Sequence, residues 1–128
     1  MIVAIVPQFF SSDLEKTLHF YNEKLGFKTK FNYGNPIFYA GATRDGHSIY
    51  FRHTADLPPT APNKYSDELL DSYFIVSDIQ ELYREYSESA VEFHREIYEM
   101  PWNFTEFVVR DVDGRLLCFG QSIDLIKN

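Results

Sequence analysis

The sequence predicts an α+β domain of two tandem βαβββ units, which would form an open, curved sheet with a ligand trough. Two repeated patterns favour this architecture. A Ser-Asp pair follows an apolar strand at Ser12 and again at Ser77, 65 residues later. An Asp-Gly pair precedes a strand at Asp45 and at Asp113, 68 residues apart. With 128 residues, the chain is short for two unrelated domains but long enough for one domain with an internal repeat.

Each Ser-Asp pair is expected to begin a helix. Ser12 with Glu15, and Ser77 with Gln80, match the capping box. In that motif the serine oxygen accepts a hydrogen bond from an early helix amide, and the Glu or Gln side chain reaches back to the cap. The same helix start is therefore predicted twice.

Apolar residues recur at helical spacing after both predicted caps. In the first unit they predict a helix over 13–25, and Gly26 follows where a left-handed residue commonly ends a helix. In the second unit a similar stripe predicts a more charged helix that ends near Ser89. Both stripes are expected to pack in the core.

The Asp-Gly pairs predict hairpins, because glycine readily adopts the positive φ that such turns need. For the second hairpin we expect a three-residue turn ending at Gly114, since this register buries Phe107 and Val109 rather than a neighbouring arginine. One further strand is possible in each unit, at 27–33 and 93–98.

A proline-rich stretch lies between the repeats. Three of the six prolines fall within 57–63, which argues against a central strand there. We therefore expect a linker over 57–70 that joins a first unit at about 1–56 to a second unit at about 71–123.

Composition limits the classes of partner. Hydrophobic residues make up 45% of the chain and charged residues 24%, as in an ordinary globular protein. The net charge of −7 disfavours nucleic acid, whose binding depends on basic side chains. Cys118 is the only cysteine, so an intrachain disulfide is impossible. Neither a basic leader nor an apolar run of about 18 residues is evident, and we predict a cytoplasmic protein without a membrane anchor.

Alternation along the strands sorts side chains between a helix side and a trough side. Ile49 and Phe51 are expected to face the helix of the first unit, and Tyr73 and Ile75 the helix of the second. The trough side would then carry Val6, Gln8, Ser48, Tyr50, Arg52, Ser72, Phe74, Glu106, Val108, Leu116 and Cys118.

Three stretches of sequence carry a family resemblance. They are the Ser-Asp-Leu, Phe-Tyr and Leu-Gly-Phe landmarks within 12–27, the strand at 72–78 and the hairpin at 101–117. In this order they resemble the glyoxalase, bleomycin-resistance and extradiol-dioxygenase superfamily, also called vicinal oxygen chelate proteins, although Val112 replaces the usual proline. The resemblance spans about residues 3–121. It implies the fold described above and a homodimer, because family members complete their clefts between subunits.

The resemblance also bears on metal binding. Enzymes of the family usually place His, Gln or Glu at one trough position on the first and last strands of each unit. Carried onto this sequence, these positions fall at Val6, Tyr50, Ser72 and Cys118, with Gln8 as an alternative if the first strand shifts by two. Such side chains are poor ligands for hard or borderline ions, so we predict no metal and no cofactor.

The metal-free branch resembles bleomycin-resistance proteins, which sequester a cationic aromatic drug in clefts formed by two subunits. Trp102 precedes the Asp111 turn by the same distance as a tryptophan in those proteins. Flat rings could stack on such a ligand, Glu106 could balance a positive charge, and Arg52 could instead hold an anion. Core or dimer packing would equally explain many of these rings. The candidate ligand-binding residues are Tyr33, Phe38, Tyr50, Arg52, Phe74, Trp102, Phe104, Glu106 and Cys118.

The leading hypothesis is metal-independent binding of a small aromatic or cationic molecule. The alternative is a metal-dependent lyase or isomerase of the glyoxalase or dioxygenase type. A third hypothesis is an accessory or sensor domain whose important surface lies outside the trough. Cys118 has no evident histidine partner in the sequence, so nucleophilic catalysis is not favoured.

Overall fold

The computed structural model describes residues 1–126 and forms two compact units, Met1–Pro59 and Thr60–Asn128. Within the described residues, no helix combines the length and apolar character needed to cross a membrane. Unit 1 contains β1 Gln8–Ser11, α1 Leu14–Lys24, β2 Lys28–Tyr33, β3 Tyr39–Arg44 and β4 His47–His53. Unit 2 contains β5 Ser72–Ile75, α2 Ile79–Glu88, β6 Glu92–Glu99, β7 Phe104–Arg110, β8 Leu116–Ser122 and the short α3 Ile123–Ile126.

Each unit holds one four-stranded sheet. The strand orders are β1-β4-β3-β2 and β5-β8-β7-β6. The β1–β4 and β5–β8 pairs are parallel and the other pairs are antiparallel. This confirms the predicted α+β class and the repeated βαβββ unit, including the additional strands β2 and β6. We call the face of each sheet opposite its helix the far face.

Both helices begin one residue later than the capping-box motif predicted. Asp13 caps α1 by accepting a hydrogen bond from the Lys16 amide at 3.1 Å, and Asp78 caps α2 through the Glu81 amide at 3.1 Å. The prediction that Ser12 and Ser77 are the caps was wrong. A carboxylate is an equally good cap and also complements the positive helix N-terminus, which explains the preference for aspartate.

Two buried tyrosines anchor the helices on their sheets. In unit 1, Tyr21 is fully buried and packs edge-on against Phe51 at 5.0 Å. In unit 2, Tyr86 packs edge-on against Phe119 at 5.4 Å. Ile49 and Phe51 are buried on the helix side, as predicted. Burying side chains of this size contributes about 1.5–3 kcal/mol each, which makes these contacts major terms in stability.

The two hairpins differ in length. Asp45 and Gly46 both have positive φ and connect β3 to β4 in a two-residue turn. In the second hairpin the Asp111 amide donates to the Arg115 carbonyl at 2.9 Å, leaving three residues in the turn. Gly114 ends that turn with a φ of 85°. This register buries Phe107 and Val109 on the helix side of β7, which confirms the prediction.

Candidate ligand-binding site

A cavity of about 490 Å³ opens on the far face of the sheet in unit 2, a volume typical of sites for small molecules. It combines apolar walls with one positive and two negative side chains. The lining residues are Glu68, Leu70, Tyr73, Ile75, Arg95, Trp102, Phe104 and Glu106.

Glu106 lies at the centre of this pocket because its neighbour Phe107 faces α2 and strand alternation turns Glu106 the other way. One carboxylate oxygen, Oε2, accepts from the Tyr73 hydroxyl at 2.6 Å and from Trp102 Nε1 at 2.9 Å. The other, Oε1, accepts from Arg95 Nη2 at 3.0 Å. Burial raises the pKa of Glu106, but these donors outweigh burial and hold that pKa below its usual range. Glu106 is therefore a buried, fully satisfied carboxylate.

Arg95 links Glu106 to a second carboxylate. Its Nε and Nη2 atoms donate to the two oxygens of Glu68 at 2.9 and 3.1 Å, in the bidentate arrangement that arginine favours. Burial opposes the charge, but the bonds to both carboxylates raise the pKa of Arg95 above its ordinary value. One guanidinium thus serves two carboxylates, which leaves the pocket lining with one negative charge in excess.

The pocket walls are flat and accessible. Trp102 is 59% exposed although its indole N–H is fixed by Glu106, so the ring is held in place with much of its surface uncovered. Phe104 packs edge-on against Tyr73 at 6.4 Å on the same side. A fixed ring with an exposed surface is suited to stacking on a planar ligand.

The predicted facing of β5 was wrong. Phe74 pairs with Phe119 in the parallel register and stacks on it at 4.5 Å, so this half-buried ring lies on the helix side rather than on the far face. Tyr73 takes the pocket side, where burial and the Glu106 bond raise the pKa of its hydroxyl. Gly120 makes room for it, since a Cβ there would lie 2.3 Å from the Tyr73 oxygen.

Cys118 lies on the predicted face but is covered in this structure. It is fully buried in a cluster with Val108 and Leu116, and the ring of Tyr65 packs over the cluster. Burial and the nearby Glu106 charge raise the pKa of the Cys118 thiol to about 12. The connector that precedes β5 occupies the space over Cys118, so the thiol does not line the open pocket in this structure.

That connector has a defined structure. We call residues 63–70 the strap. The Tyr65 hydroxyl donates to the Gly114 carbonyl at 2.9 Å, and the Arg110 guanidinium lies 4.1 Å from the centre of the Tyr65 ring. The sequence predicted only a linker here, so Glu68, which contributes the accessible carboxylate of the pocket, was missed. The only sequence signal was a tyrosine and two leucines in a region otherwise typical of a connector.

The remaining candidates lie on unit 1. Tyr50 occupies the far face as predicted, and Arg52 lies on the same face with its guanidinium 5.3 Å from the centre of the Tyr39 ring. Tyr33 and Phe38 are 59% and 52% exposed. Phe31, Tyr33, Tyr39 and Tyr50 form a contiguous ring network with centroid separations of 5.2–6.4 Å. Phe31 and Tyr39 were not among the predicted site residues, because their strands had no predicted facing.

The side chains at the family's metal positions do not fit a divalent ion. Register pairs Gln8 with Tyr50 in unit 1 and Tyr73 with Cys118 in unit 2, so the assignments to Val6 and Ser72 were wrong. The Tyr73 hydroxyl is bonded to Glu106, and the Cys118 thiol is buried and protonated near neutral pH. Across residues 1–126, His, Cys, Asp and Glu form no group of three or more that could hold a metal ion.

The chain belongs to the Glyoxalase/Bleomycin resistance protein/Dioxygenase superfamily, whose family model matches residues 3–119. This confirms the resemblance found in the sequence. Comparison with curated protein sequences gave no match.

Solved structures share the fold at low sequence identity. A bleomycin resistance determinant encoded on the transposon Tn5 is 21% identical with a TM-score of 0.72, covering 94% of this chain and 98% of that one. The bleomycin-binding protein of bleomycin-producing Streptomyces verticillus, solved with copper(II)-bleomycin, is 20% identical with a TM-score of 0.70, covering 93% and 95%. A glyoxalase-related enzyme from Clostridium phytofermentans is 17% identical with a TM-score of 0.76, covering 96% and 97%.

Proposed function

We propose that the protein binds and sequesters a small, flat aromatic molecule that carries a positive charge, without a metal ion and without a chemical step. The observation that carries this proposal is the pocket of unit 2, where the exposed ring of Trp102 adjoins an excess of carboxylate. Two structural relatives named for bleomycin resistance or bleomycin binding support the same class of ligand.

Glu68 is the carboxylate that meets the cation of the ligand. The Glu106 side chain is 3% exposed and has three donors already, whereas the Glu68 side chain is 29% exposed and lines the pocket mouth. A ligand cation at Glu68 leaves Arg95 with Glu106, so that every charge in the pocket has a partner. For a partly exposed pair of this kind we expect a net contribution of about 1 kcal/mol to the free energy of binding, because solvent screens the attraction.

We also propose that the protein acts as a homodimer, as the family resemblance implies. Apolar residues at the start of the chain support a protein partner, because Met1, Ile2, Val3 and Ile5 are each at least 84% exposed. An apolar stretch of this kind is typical of an interaction surface. Sedimentation equilibrium tests the proposal: a dimer mass for the natural chain is expected, and a monomer at micromolar concentration contradicts it. The proposed location is the cytoplasm, where the single thiol, Cys118, would remain unpaired.

Titration of Trp102 fluorescence with copper-free bleomycin tests the binding function. We expect saturable quenching at about one ligand per chain, because Trp102 is the only tryptophan and forms a pocket wall. Calorimetry on Trp102→Phe and Trp102→Ala provides the matched comparison, since phenylalanine keeps a flat ring and alanine does not. Absence of heat and of quenching at millimolar ligand would refute this class of ligand.

Metal analysis of protein purified without chelator tests the competing enzyme hypothesis. A metal-dependent lyase or isomerase would hold a stoichiometric ion that survives dialysis. The side chains at the family positions predict that no such ion is retained. Stoichiometric retention would overturn metal-independent binding and redirect the search to oxygen-chelating substrates.

A further inference from the structure

We propose that the strap is a movable cover over a second, apolar compartment of the pocket, and that the Glu68–Arg95 ion pair is the latch that a ligand's cation releases. For the identity of its ligand this inference rests on the proposed function. The strap itself can be tested without any ligand.

The compartment is the patch of sheet beneath Tyr65. Its floor is formed by Val108, Leu116 and Cys118, which are fully buried with the ring of Tyr65 packed against them. It adjoins the pocket because Glu106, which lines the open cavity, and Val108 are neighbours on one face of β7, and Val108 pairs with Cys118 on β8. Displacing Tyr65 would therefore extend the pocket along the sheet and uncover an apolar surface for a larger planar ligand.

Side-chain contacts of Lys64, Tyr65 and Glu68 fasten the strap. Lys64 pairs with Asp71 at 2.6 Å, and Asp71 in turn accepts from the Leu116 amide of β8. Tyr65 contributes one hydroxyl bond to a backbone carbonyl and the contact with Arg110. Glu68 forms a bidentate ion pair with Arg95, and its Oε1 also lies 3.8 Å from His94 Nε2. Its backbone has a φ of 51°, a left-handed conformation that a non-glycine residue adopts only when its contacts hold it there. Among these contacts, the Glu68–Arg95 ion pair is the one in which both side chains line the pocket.

A ligand can release this latch by exchange of partners. Without Glu68, Arg95 keeps one carboxylate partner, because its Nη2 atom also donates to Glu106. A cation that pairs with Glu68 therefore leaves no buried charge unmatched. The same exchange is unavailable to an anionic ligand, which would compete with both carboxylates for Arg95.

Alkylation of Cys118 by iodoacetamide, followed by mass spectrometry, reports opening of the strap. The thiol is buried in the closed state, so the rate follows the fraction of time that Tyr65 is displaced. Glu68→Gln should raise the rate about tenfold or more relative to the natural chain, since it removes a charge-assisted bond. Glu88→Gln is the matched control, because it removes one exposed carboxylate of unit 2 outside the strap and pocket. All rates are divided by the rate for urea-unfolded protein at the same pH.

Global unfolding is separated from local opening by repeating the measurement in low urea. Local opening exposes little surface, so the alkylation rate should depend on urea far less than the unfolding equilibrium does. Tyr65→Ala should accelerate alkylation even more than Glu68→Gln. Equal alkylation rates for Glu68→Gln and Glu88→Gln would contradict the proposal that Glu68 holds the strap closed. A urea dependence as steep as that of global unfolding would contradict local opening.

Copper-free bleomycin at saturation should accelerate alkylation of the natural chain and have little effect on Glu68→Gln, whose latch is already broken. Saturation is verified by Trp102 quenching. Unchanged or slower alkylation of the natural chain under these conditions would overturn release by the ligand. Absence of quenching would instead count against the proposed function, while the comparison of variants would still decide whether the strap opens.

Discussion

The two units share one strand topology but differ in net charge and in the side chains of their far faces. Unit 1 contains six basic and five acidic residues, whereas unit 2 contains six basic and fourteen acidic residues. The far face of unit 1 is a sheet of contacting rings with Arg52 among them. The far face of unit 2 carries Glu106 and is partly covered by the strap. Strand register decides which positions face away from the helix, and side-chain identity then decides which ligand each face suits.

Their cores, by contrast, are equivalent, and this gives the largest expected effect. Tyr21 and Tyr86 occupy matching helix positions and are 0% and 1% exposed. Tyr21→Ala and Tyr86→Ala should each lower the free energy of unfolding by about 3–5 kcal/mol, through lost burial and the cavity left behind. Urea denaturation followed by circular dichroism measures both. A loss below 1 kcal/mol for either variant would contradict the equivalence of the two cores.

Glu106 should make unit 2 sensitive to acid. Because its folded pKa is lowered, its contribution to stability is present above the unfolded carboxyl pKa and is lost as pH falls through the folded value. Glu106→Gln should therefore make the free energy of unfolding less dependent on pH in the acid range. At neutral pH it should lower that free energy by about 2–3 kcal/mol. Urea midpoints between pH 3 and 7 measure the profile, with Glu88→Gln as the exposed control. Parallel profiles for Glu106→Gln and the natural chain would refute this role.

Two glycines provide a closer comparison of the far faces. A Cβ at Gly120 would collide with Tyr73, which is bonded to Glu106, whereas a Cβ at Gly41 would collide with the ring of Phe31. Gly120→Ala should lower the free energy of unfolding by about 1–3 kcal/mol, because the added methyl group overpacks the site. Gly41→Ala should cost less, because the half-buried Phe31 ring can turn towards solvent. Urea denaturation measures the loss of unfolding free energy in both variants. A larger loss for Gly41→Ala than for Gly120→Ala would contradict this description of the far faces.

The smallest expected effects concern charge and ligand. Glu68→Gln should weaken binding of copper-free bleomycin about fivefold, in line with a partly exposed ion pair. Arg52→Gln, on the other unit, should change affinity by less than about twofold. Isothermal calorimetry measures both. A larger loss for Arg52→Gln than for Glu68→Gln would transfer the binding site to unit 1.

Local sequence patterns predicted most of the fold. Gly26 and the Asp-Gly pairs require backbone conformations that few other residues adopt, and helical spacing located both helices within about a residue of their ends. The facing of β5 was mispredicted because Tyr73, Phe74 and Ile75 are all apolar enough for either side. Alignment of the repeats, which matches Gln8 with Tyr73, would have resolved it.

The candidate site was predicted only in part, because its electrostatics are non-local. Trp102, Phe104 and Glu106 lie close together in the sequence and were identified together. Arg95 and Glu68 were missed, since they meet across 27 residues and only the folded strap brings them into contact. A connector rich in proline has no periodic pattern of apolar residues from which its packing could be inferred.

The central claim, that the pocket of unit 2 selects a flat cation, is tested most directly with a matched pair of ligands. Calorimetric titration with 1-naphthylmethylammonium and with 1-naphthoate presents the same ring with opposite charges. The account predicts that the ammonium binds at least about tenfold more tightly, and that Glu68→Gln reduces this preference. Equal affinities, or tighter binding of the carboxylate, would contradict it.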